Sequence, residues 1–221
     1  DVNRNIPPQA ACPLPEAIVR LDTPPGKTVY TRQYSVARHM QQPMTDVIKQ
    51  WHTDSIIERA PVDTAFNTPI FPIPKKDATG QKTLCRPCLD FRPLNRLLPD
   101  DTFPLPRIGD IFNALAGSQI FSSLDLQSAF HRFTILPAHR HKTAFTWKDT
   151  QYVCVRAPFG LKTLPSKFQR VVQLLLGHLP YVRMFIDDLI VFSNDWNSHA
   201  VQVQEVVKIL NTNNLVLNID K

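Results

Sequence analysis

Three acidic residues stand where ionised groups are unfavourable. The run Met184-Phe185-Ile186-Asp187-Asp188-Leu189-Ile190-Val191-Phe192 sets two adjacent carboxylates inside an apolar stretch. Taking an ionised carboxylate out of water is costly unless it is paired or binds a metal. Two-residue hairpin turns favour Asn-Gly or Asp-Gly, so turn chemistry alone does not select Asp-Asp. A solvated turn is the plain alternative. A second acid, Asp125, closes the run Phe121-Ser122-Ser123-Leu124-Asp125, where the plain alternative is a helix cap. If both segments meet in one sheet, their carboxylates can hold two divalent cations roughly 3.5–4 Å apart. Such a pair activates an attacking oxygen and stabilises a leaving one during displacement at phosphorus. Hard oxygen ligands suit magnesium.

Strands and helices must bring these acids together, and the hydrophobic periodicity predicts them. Residues 1–33 carry prolines at 7, 8, 13, 15, 24 and 25 and read as an extended lead segment. Met44, Val47, Ile48 and Trp51 fall at helical spacing, with Pro43 suited to the first turn. Residues 70–74 form a short strand whose prolines confine it to an edge. Residues 75–80 turn the chain and 84–90 run back, giving a hairpin with basic residues at its tip. Ile108, Ile111, Phe112 and Leu115 mark a second amphipathic helix. A strand over 120–125 then leads into a helix over 126–133, and a strand follows at 152–155. Phe168, Val171, Val172 and Leu175 predict a long helix entered through Pro165. Residues 183–192 form a hairpin with acid at its turn. Val203, Val206, Val207 and Leu210 mark a last helix, and a final strand begins at 216–219. Strands and helices mix without strict alternation, so the class is α+β.

Composition bounds the reading. The chain has 221 residues with 43% apolar side chains, enough for a real core and too apolar for disorder. Its 20 Pro against 6 Gly imply rigid extended connections. A formal charge of +6 fits a polyanionic partner without establishing one. Of the four cysteines, only Cys85 and Cys88 have metal-like spacing, and no second pair completes a zinc site. No secretory signal opens the chain. No apolar run approaches the roughly 20 residues of a membrane span. A soluble intracellular protein is expected.

Six ordered blocks carry a resemblance over about residues 40–221. Phe185-Ile186-Asp187-Asp188 resembles the aromatic-x-Asp-Asp box of reverse transcriptases. Ser123-Leu124-Asp125-Leu126-Gln127-Ser128-Ala129-Phe130-His131 looks like that family's first-aspartate motif. Cys88-Leu89-Asp90-Phe91-Arg92-Pro93-Leu94-Asn95 is similar to its Val-Asp-Tyr-Arg-x-Leu-Asn block, and Phe103-Pro104-Leu105-Pro106-Arg107-Ile108 to its Tyr-Pro-Leu-Pro-x-Ile segment. Lys142-Thr143-Ala144-Phe145 and Pro158-Phe159-Gly160-Leu161 complete the order. The last block, with Pro165 and Phe168-Gln169-Arg170, resembles gypsy-type LTR retrotransposons.

The resemblance implies the fingers and palm of a right-hand polymerase, the palm a mainly antiparallel sheet packed on helices. Fingers would cover about 34–105 and 137–157, and palm about 106–136 and 158–221. It implies an RNA-directed DNA polymerase within a Pol polyprotein, adding deoxynucleotides to a primer 3′-hydroxyl. Asp125, Asp187 and Asp188 would be the catalytic carboxylates. With the Leu126 carbonyl they would hold two Mg2+, or Mn2+ in its place. Lys75 and Arg86 would grip the incoming triphosphate, with Lys76 as the fallback; Arg suits phosphate through its bidentate geometry. Phe130 would oppose a ribose 2′-hydroxyl as a sugar gate, its plain alternative being core packing. Phe159 and Gly160 would line the nucleotide pocket. Asp90 and Arg92 would position the fingers strands and the template. Expected partners are an RNA or DNA template with its primer, deoxynucleoside triphosphates, and the parent polyprotein's thumb and ribonuclease H segments. No membrane is expected. A cytoplasmic particle is the expected location, with the nucleus as alternative.

Departures from the family pattern are few. Phe185 stands where Tyr is commoner, and His131-Arg132-Phe133 adds a charge to a usual His-Gln-Ile. Leu164 and Lys167 replace smaller residues. None removes a metal ligand. Two other readings compete: a non-catalytic nucleic-acid-binding remnant of a retroelement, and a zinc module built on Cys85 and Cys88.

Overall fold

Alternating burial along short strands, and apolar stripes along the helices, organise the chain. The structure is a computed structural model and describes residues 3–75, 80, 84–104, 106–185 and 188–218. In chain order its first elements are β1 (Ile18–Val19), α1 (Arg38–Thr53), β2 (Ile57–Arg59), β3 (Ile70–Lys75), β4 (Leu84–Leu89), α2 (Arg92–Asn95), α3 (Ile108–Leu115) and β5 (Ile120–Asp125). Next come β6 (Thr134–Ile135), β7 (Phe145–Trp147), β8 (Thr150–Cys154), α4 (Leu164–Leu176), β9 (Val182–Phe185), β10 (Asp188–Ser193) and α5 (Trp196–Thr212), with short 3₁₀ turns between them. No helix among the described residues is long and apolar enough to cross a membrane.

The chain divides into two compact units. The first gathers residues 1–18, 101–133 and 163–221; the second gathers 19–100 and 134–162. The proline-rich lead segment is therefore shared between them, with 1–18 in the first and 19–33 in the second.

In the first unit an antiparallel sheet runs β5-β10-β9. Period-two alternation gives it two unlike faces. Val182, Met184, Leu189 and Val191 are buried on one face, where α5 packs on β5 and β10 while α4 packs on β9. The helices contribute Leu164, Phe168, Val171, Val172 and Leu176 from α4 and Val206 and Leu210 from α5. Pro165 sits in the first turn of α4, as expected. Asp195 caps α5 by accepting from the Ser198 N–H at 2.9 Å. α3 forms where periodicity predicted it, yet of its four apolar residues only Ile111 is buried; Ile108 and Phe112 are exposed.

Two expected elements of this unit differ. Residues 126–133 are not one helix: Ser128 adopts φ 50°, and only Ala129–Arg132 form a 3₁₀ turn. The cause is tertiary. The Gln127 N–H donates to Val216 O at 2.7 Å and the Asn218 N–H to Asp125 O at 2.8 Å, so residues 125–127 stay extended beside 216–218. The final strand is correspondingly short, an isolated antiparallel bridge between Leu126 and Leu217; Ile219 lies outside the described residues.

In the second unit β2, β8 and β7 form an antiparallel sheet, and β3 and β4 form a separate two-stranded ribbon. α1 buries Met40, Met44 and Ile48. It begins at Arg38, so Pro43 is inside the helix rather than in its first turn. Met40, four residues before Met44, is the one apolar residue in that extra turn, and the polar residues around it concealed it from the apolar pattern.

The charge added by Arg132 has a structural use. Arg132 is buried, and its Nη1 donates to Pro7 O at 2.9 Å and Ala10 O at 3.1 Å. Its own carbonyl accepts from the Cys12 N–H at 2.8 Å. Hydrogen bonds from a charged donor contribute about 1.5–3 kcal/mol each. Arg132→Met keeps the aliphatic stem and removes these donors. It is expected to lower unfolding stability by about 2–4 kcal/mol in a urea titration and to open residues 7–12 to limited proteolysis. Unchanged cleavage there would show that the prolines alone hold the segment.

Candidate active site

The pairing of β10 with β5 decides where the acids stand. Its register sets Asp188 opposite Asp125, Leu189 opposite Leu124 and Ile190 opposite Ser123. Residues directly opposite share a face, with Cβ atoms about 4.5–5.5 Å apart. Asp125 and Asp188 therefore lie side by side on the face opposite the buried helices. Asp125 is half-buried and Asp188 exposed. Across the hairpin, Asp188 also pairs with Phe185. Asp187, the third expected carboxylate, lies outside the described residues, as does Lys76.

The surroundings of Asp125 suit a ligand. The Asn218 Nδ2 donates to its Oδ2 at 3.0 Å. The Leu126–Leu217 bridge is bonded through the flanking residues, which leaves the Leu126 carbonyl out of that bridge. Leu126 itself is buried. Among the described residues no three His, Cys, Asp or Glu side chains gather to hold a metal. Asp125 and Asp188 supply two carboxylates on adjacent strands.

Phe130 follows Ser128 on the 3₁₀ turn. Its ring meets Phe168 edge-on at 5.5 Å between centroids, and Phe133 meets the same ring at 5.3 Å. Phe130 is half-buried, so one edge packs while part of the ring stays accessible.

The remaining expected residues belong to the second unit. On the β3–β4 ribbon, Ile73 pairs with Arg86 and Lys75 with Leu84. Lys75 and Arg86 are thus diagonal neighbours on one face, and both are exposed. Phe159 is exposed, and Gly160 has φ +98°. A Cβ there would stand 3.4 Å from Leu89 O, so the turn favours glycine on both backbone and contact grounds. Asn95 was not singled out from sequence, yet it holds this turn twice. Its Nδ2 donates to Gly160 O at 2.7 Å, and its Oδ1 accepts from the Lys162 N–H at 3.0 Å.

Asp90 anchors the ribbon's exit. Arg92 donates to it through Nε at 2.7 Å and Nη2 at 2.6 Å, and Tyr34 OH adds a bond at 2.8 Å. Cys85 and Cys88 are free and sit three residues apart on β4, paired with Pro74 and Phe71. Period-two alternation sends them to opposite faces, which removes the basis for a shared zinc.

A buried polar group escaped the sequence reading. His199, on α5, is 4% exposed. Its Nε2 lies 2.8 Å from Ser122 Oγ on β5, and its Nδ1 lies 2.9 Å from Ser193 Oγ on β10. The signal was present: positions 199, 203, 206 and 210 keep helical core spacing, and a polar residue in that stripe needs partners.

The Arg92 hydrogen bonds hold the Asp90 carboxyl well below the usual carboxylate range, against the opposing effect of burial. A carboxyl lowered in the folded state adds stability above its unfolded pKa, about 3.9. That stability is lost as pH falls through the folded value. Asp90→Asn should therefore be less stable than the wild type at neutral pH. It should also lose less stability between about pH 4 and pH 2. Urea midpoints across that range provide the measurement; parallel curves would show that the ion pair adds nothing.

Comparison with known proteins follows the same lines. The family model described as "Reverse transcriptase (RNA-dependent DNA polymerase)" matches residues 73–221. The chain is 34% identical over 197 residues to the "Retrovirus-related Pol polyprotein from transposon opus" of Drosophila melanogaster, covering 87% of this chain and 19% of that protein. It is 30% identical over 189 residues to the "Transposon Tf2-3 polyprotein" of Schizosaccharomyces pombe, covering 85% and 14%. The chain thus spans less than a fifth of these relatives. Among solved structures, the native Prototype Foamy Virus Protease-Reverse Transcriptase aligns with a TM-score of 0.78 at 27% identity, over 90% of this chain and 26% of that one. The foamy viral protease-reverse transcriptase in complex with RNA/DNA hybrid aligns with a TM-score of 0.78 at 26% identity, over 87% and 25%.

Proposed function

The chain belongs to the reverse transcriptase family, and from that premise we propose that it is the fingers-and-palm portion of an RNA-directed DNA polymerase from a gypsy-type LTR retrotransposon Pol polyprotein. The carrying observation is the placement of Asp125 directly opposite Asp188 on the helix-free face of an antiparallel sheet. Like charges directly opposite destabilise a strand pair, so the arrangement favours a bound cation. Asp125, Asp187, Asp188 and the Leu126 carbonyl would hold two Mg2+, with Mn2+ as a substitute. The metals would supply activation of the primer 3′-hydroxyl and stabilisation of the leaving oxygen. Asn218 orients the Asp125 carboxylate.

The second unit would serve as fingers. Lys75 and Arg86 would bind the triphosphate of a deoxynucleotide from one face of the ribbon. The Phe159-Gly160 turn, braced by Asn95, would line the nucleotide pocket. Phe130 would contact the sugar, with Phe168 fixing its ring. The solved relative bound to an RNA/DNA hybrid supports a primer–template partner. The parent polyprotein's thumb and ribonuclease H would complete the polymerase, in a cytoplasmic particle or the nucleus.

The test is magnesium-dependent primer extension by this chain fused to the segments that follow it in the parent element. Asp125→Asn should slow extension at least about a thousandfold, equivalent to ~4 kcal/mol of transition-state stabilisation. No extension by a folded wild-type fusion would favour a non-catalytic remnant. In the same fusion, Phe130→Ala should admit ribonucleotides more readily, because the ring facing a 2′-hydroxyl is gone. Unchanged discrimination between deoxy- and ribonucleotides in a folded variant would assign Phe130 to packing alone.

A further inference from the structure

His199 touches both strands that carry the acids, and its hydrogen bonds can be assigned a direction. The Ser193 hydroxyl donates its single proton to Gln202 Oε1. Toward His199 the same oxygen must then accept, so Nδ1 carries a proton. In a neutral imidazole Nε2 is then the acceptor, and the Ser122 hydroxyl donates to it. A directed chain runs Ser122, His199, Ser193, Gln202, from β5 through α5 to β10 and back to α5. His199 is 4% exposed and Ser193 7%.

This clamp selects register where hydrophobicity does not. A slip of one residue between β5 and β10 would turn apolar residues outward and is excluded by burial. A slip of two keeps every face and exchanges only one buried residue for another. It also moves Ser193 about 6.6–6.8 Å along the strand relative to Ser122. One imidazole could not then reach both hydroxyls. In the observed register Ser122 lies opposite Val191 and Ile120 opposite Ser193, and that register puts Asp125 opposite Asp188.

We propose that His199 is a positioning residue for the metal-binding carboxylates, acting through Ser122 and Ser193 to fix the alignment of Asp125 with Asp188. The proposal rests on the metal-dependent polymerase reading above. A misplacement of about 1 Å at a reacting centre can lower a rate a hundredfold. A looser strand pair should therefore weaken metal use before it affects substrate binding.

The experiment uses the fused polymerase and measures amide hydrogen exchange of β5 and β10 without metal, which His199→Phe should speed, together with the Mg2+ concentration for half-maximal extension, the single-turnover rate and the nucleotide KM. His199→Phe fills the ring volume without hydrogen bonds. It should raise the Mg2+ requirement at least about tenfold and cut the rate about thirtyfold, with KM changed less than about twofold. His199→Gln, which keeps a donor and an acceptor, should recover most of both. Val206→Ala, a change at a buried position on the same helix, serves as the stability control and should leave the Mg2+ requirement unchanged. The inference is overturned if folded His199→Phe keeps the wild-type Mg2+ requirement, or if Val206→Ala shifts it equally. Extension indifferent to Asp125→Asn would overturn the metal reading and this inference with it. Loss in Asp125→Asn with no Mg2+ shift in His199→Phe would overturn the inference alone.

Discussion

The first unit turns on one constraint: two carboxylates are held directly opposite each other by the pairing of β5 with β10. Left to themselves, Asp125 and Asp188 repel, and strand pairing at that end would weaken. The apolar face behind them supplies the opposing force. Leu189 and Val191 are fully buried there, between β5 and β9 and beneath the helices. Fully burying such a side chain contributes about 1.5–3 kcal/mol, more than the 0.2–1 kcal/mol typical of a cross-strand pair. Burial wins, and the sheet holds the two acids as a fixed pair on its other face.

The same face logic explains what α5 does. Val206 and Leu210 provide area, which is non-directional. His199 provides direction, because its two nitrogens reach two particular hydroxyls. The open face needs no such covering. It carries Phe121, Ser123, Asp125, Asp188 and Ile190, and Arg183 stacks over the Phe192 ring at 5.6 Å. Two faces of one small sheet thus have separate tasks, one in cohesion and the other in presenting charge.

Much of this was legible from residue order. The acidic hairpin, β5, α4, α5 and the ribbon follow directly from period and proline placement. Local strand signals also sufficed to propose that Asp125 meets the hairpin, although register is a long-range property. Other features were illegible for physical reasons. β7 and β8 join through Lys148-Asp149, with Lys148 at φ 53° and no glycine to mark the turn. The extended backbone at 125–127 is imposed by residues 216–218, far along the chain. Arg132 and Asn95 act on backbone carbonyls, which no side-chain pattern reports. The lone charge and the lone amide were visible, but their targets were not.

The β3–β4 ribbon shows how a proline-rich sequence can make an exposed strand pair safe. Pro72 faces Pro87, and Pro74 faces Cys85. A proline cannot donate, so the ladder bonds must run through the alternate pairs: Phe71 with Cys88, Ile73 with Arg86, and Lys75 with Leu84. The proline nitrogens then fall where an added strand would need donors, on both outer edges. Unpaired edges invite association with another chain, and proline and charge on an edge discourage it. The same alternation sorts the side chains. Prolines take one face, while Lys75 and Arg86 share the other. Two cations can therefore stand exposed and close together on a ribbon that α1 supports along β4. That geometry suits a polyanionic ligand better than it suits the free ribbon, since like charges on adjacent strands repel until an anion lies between them.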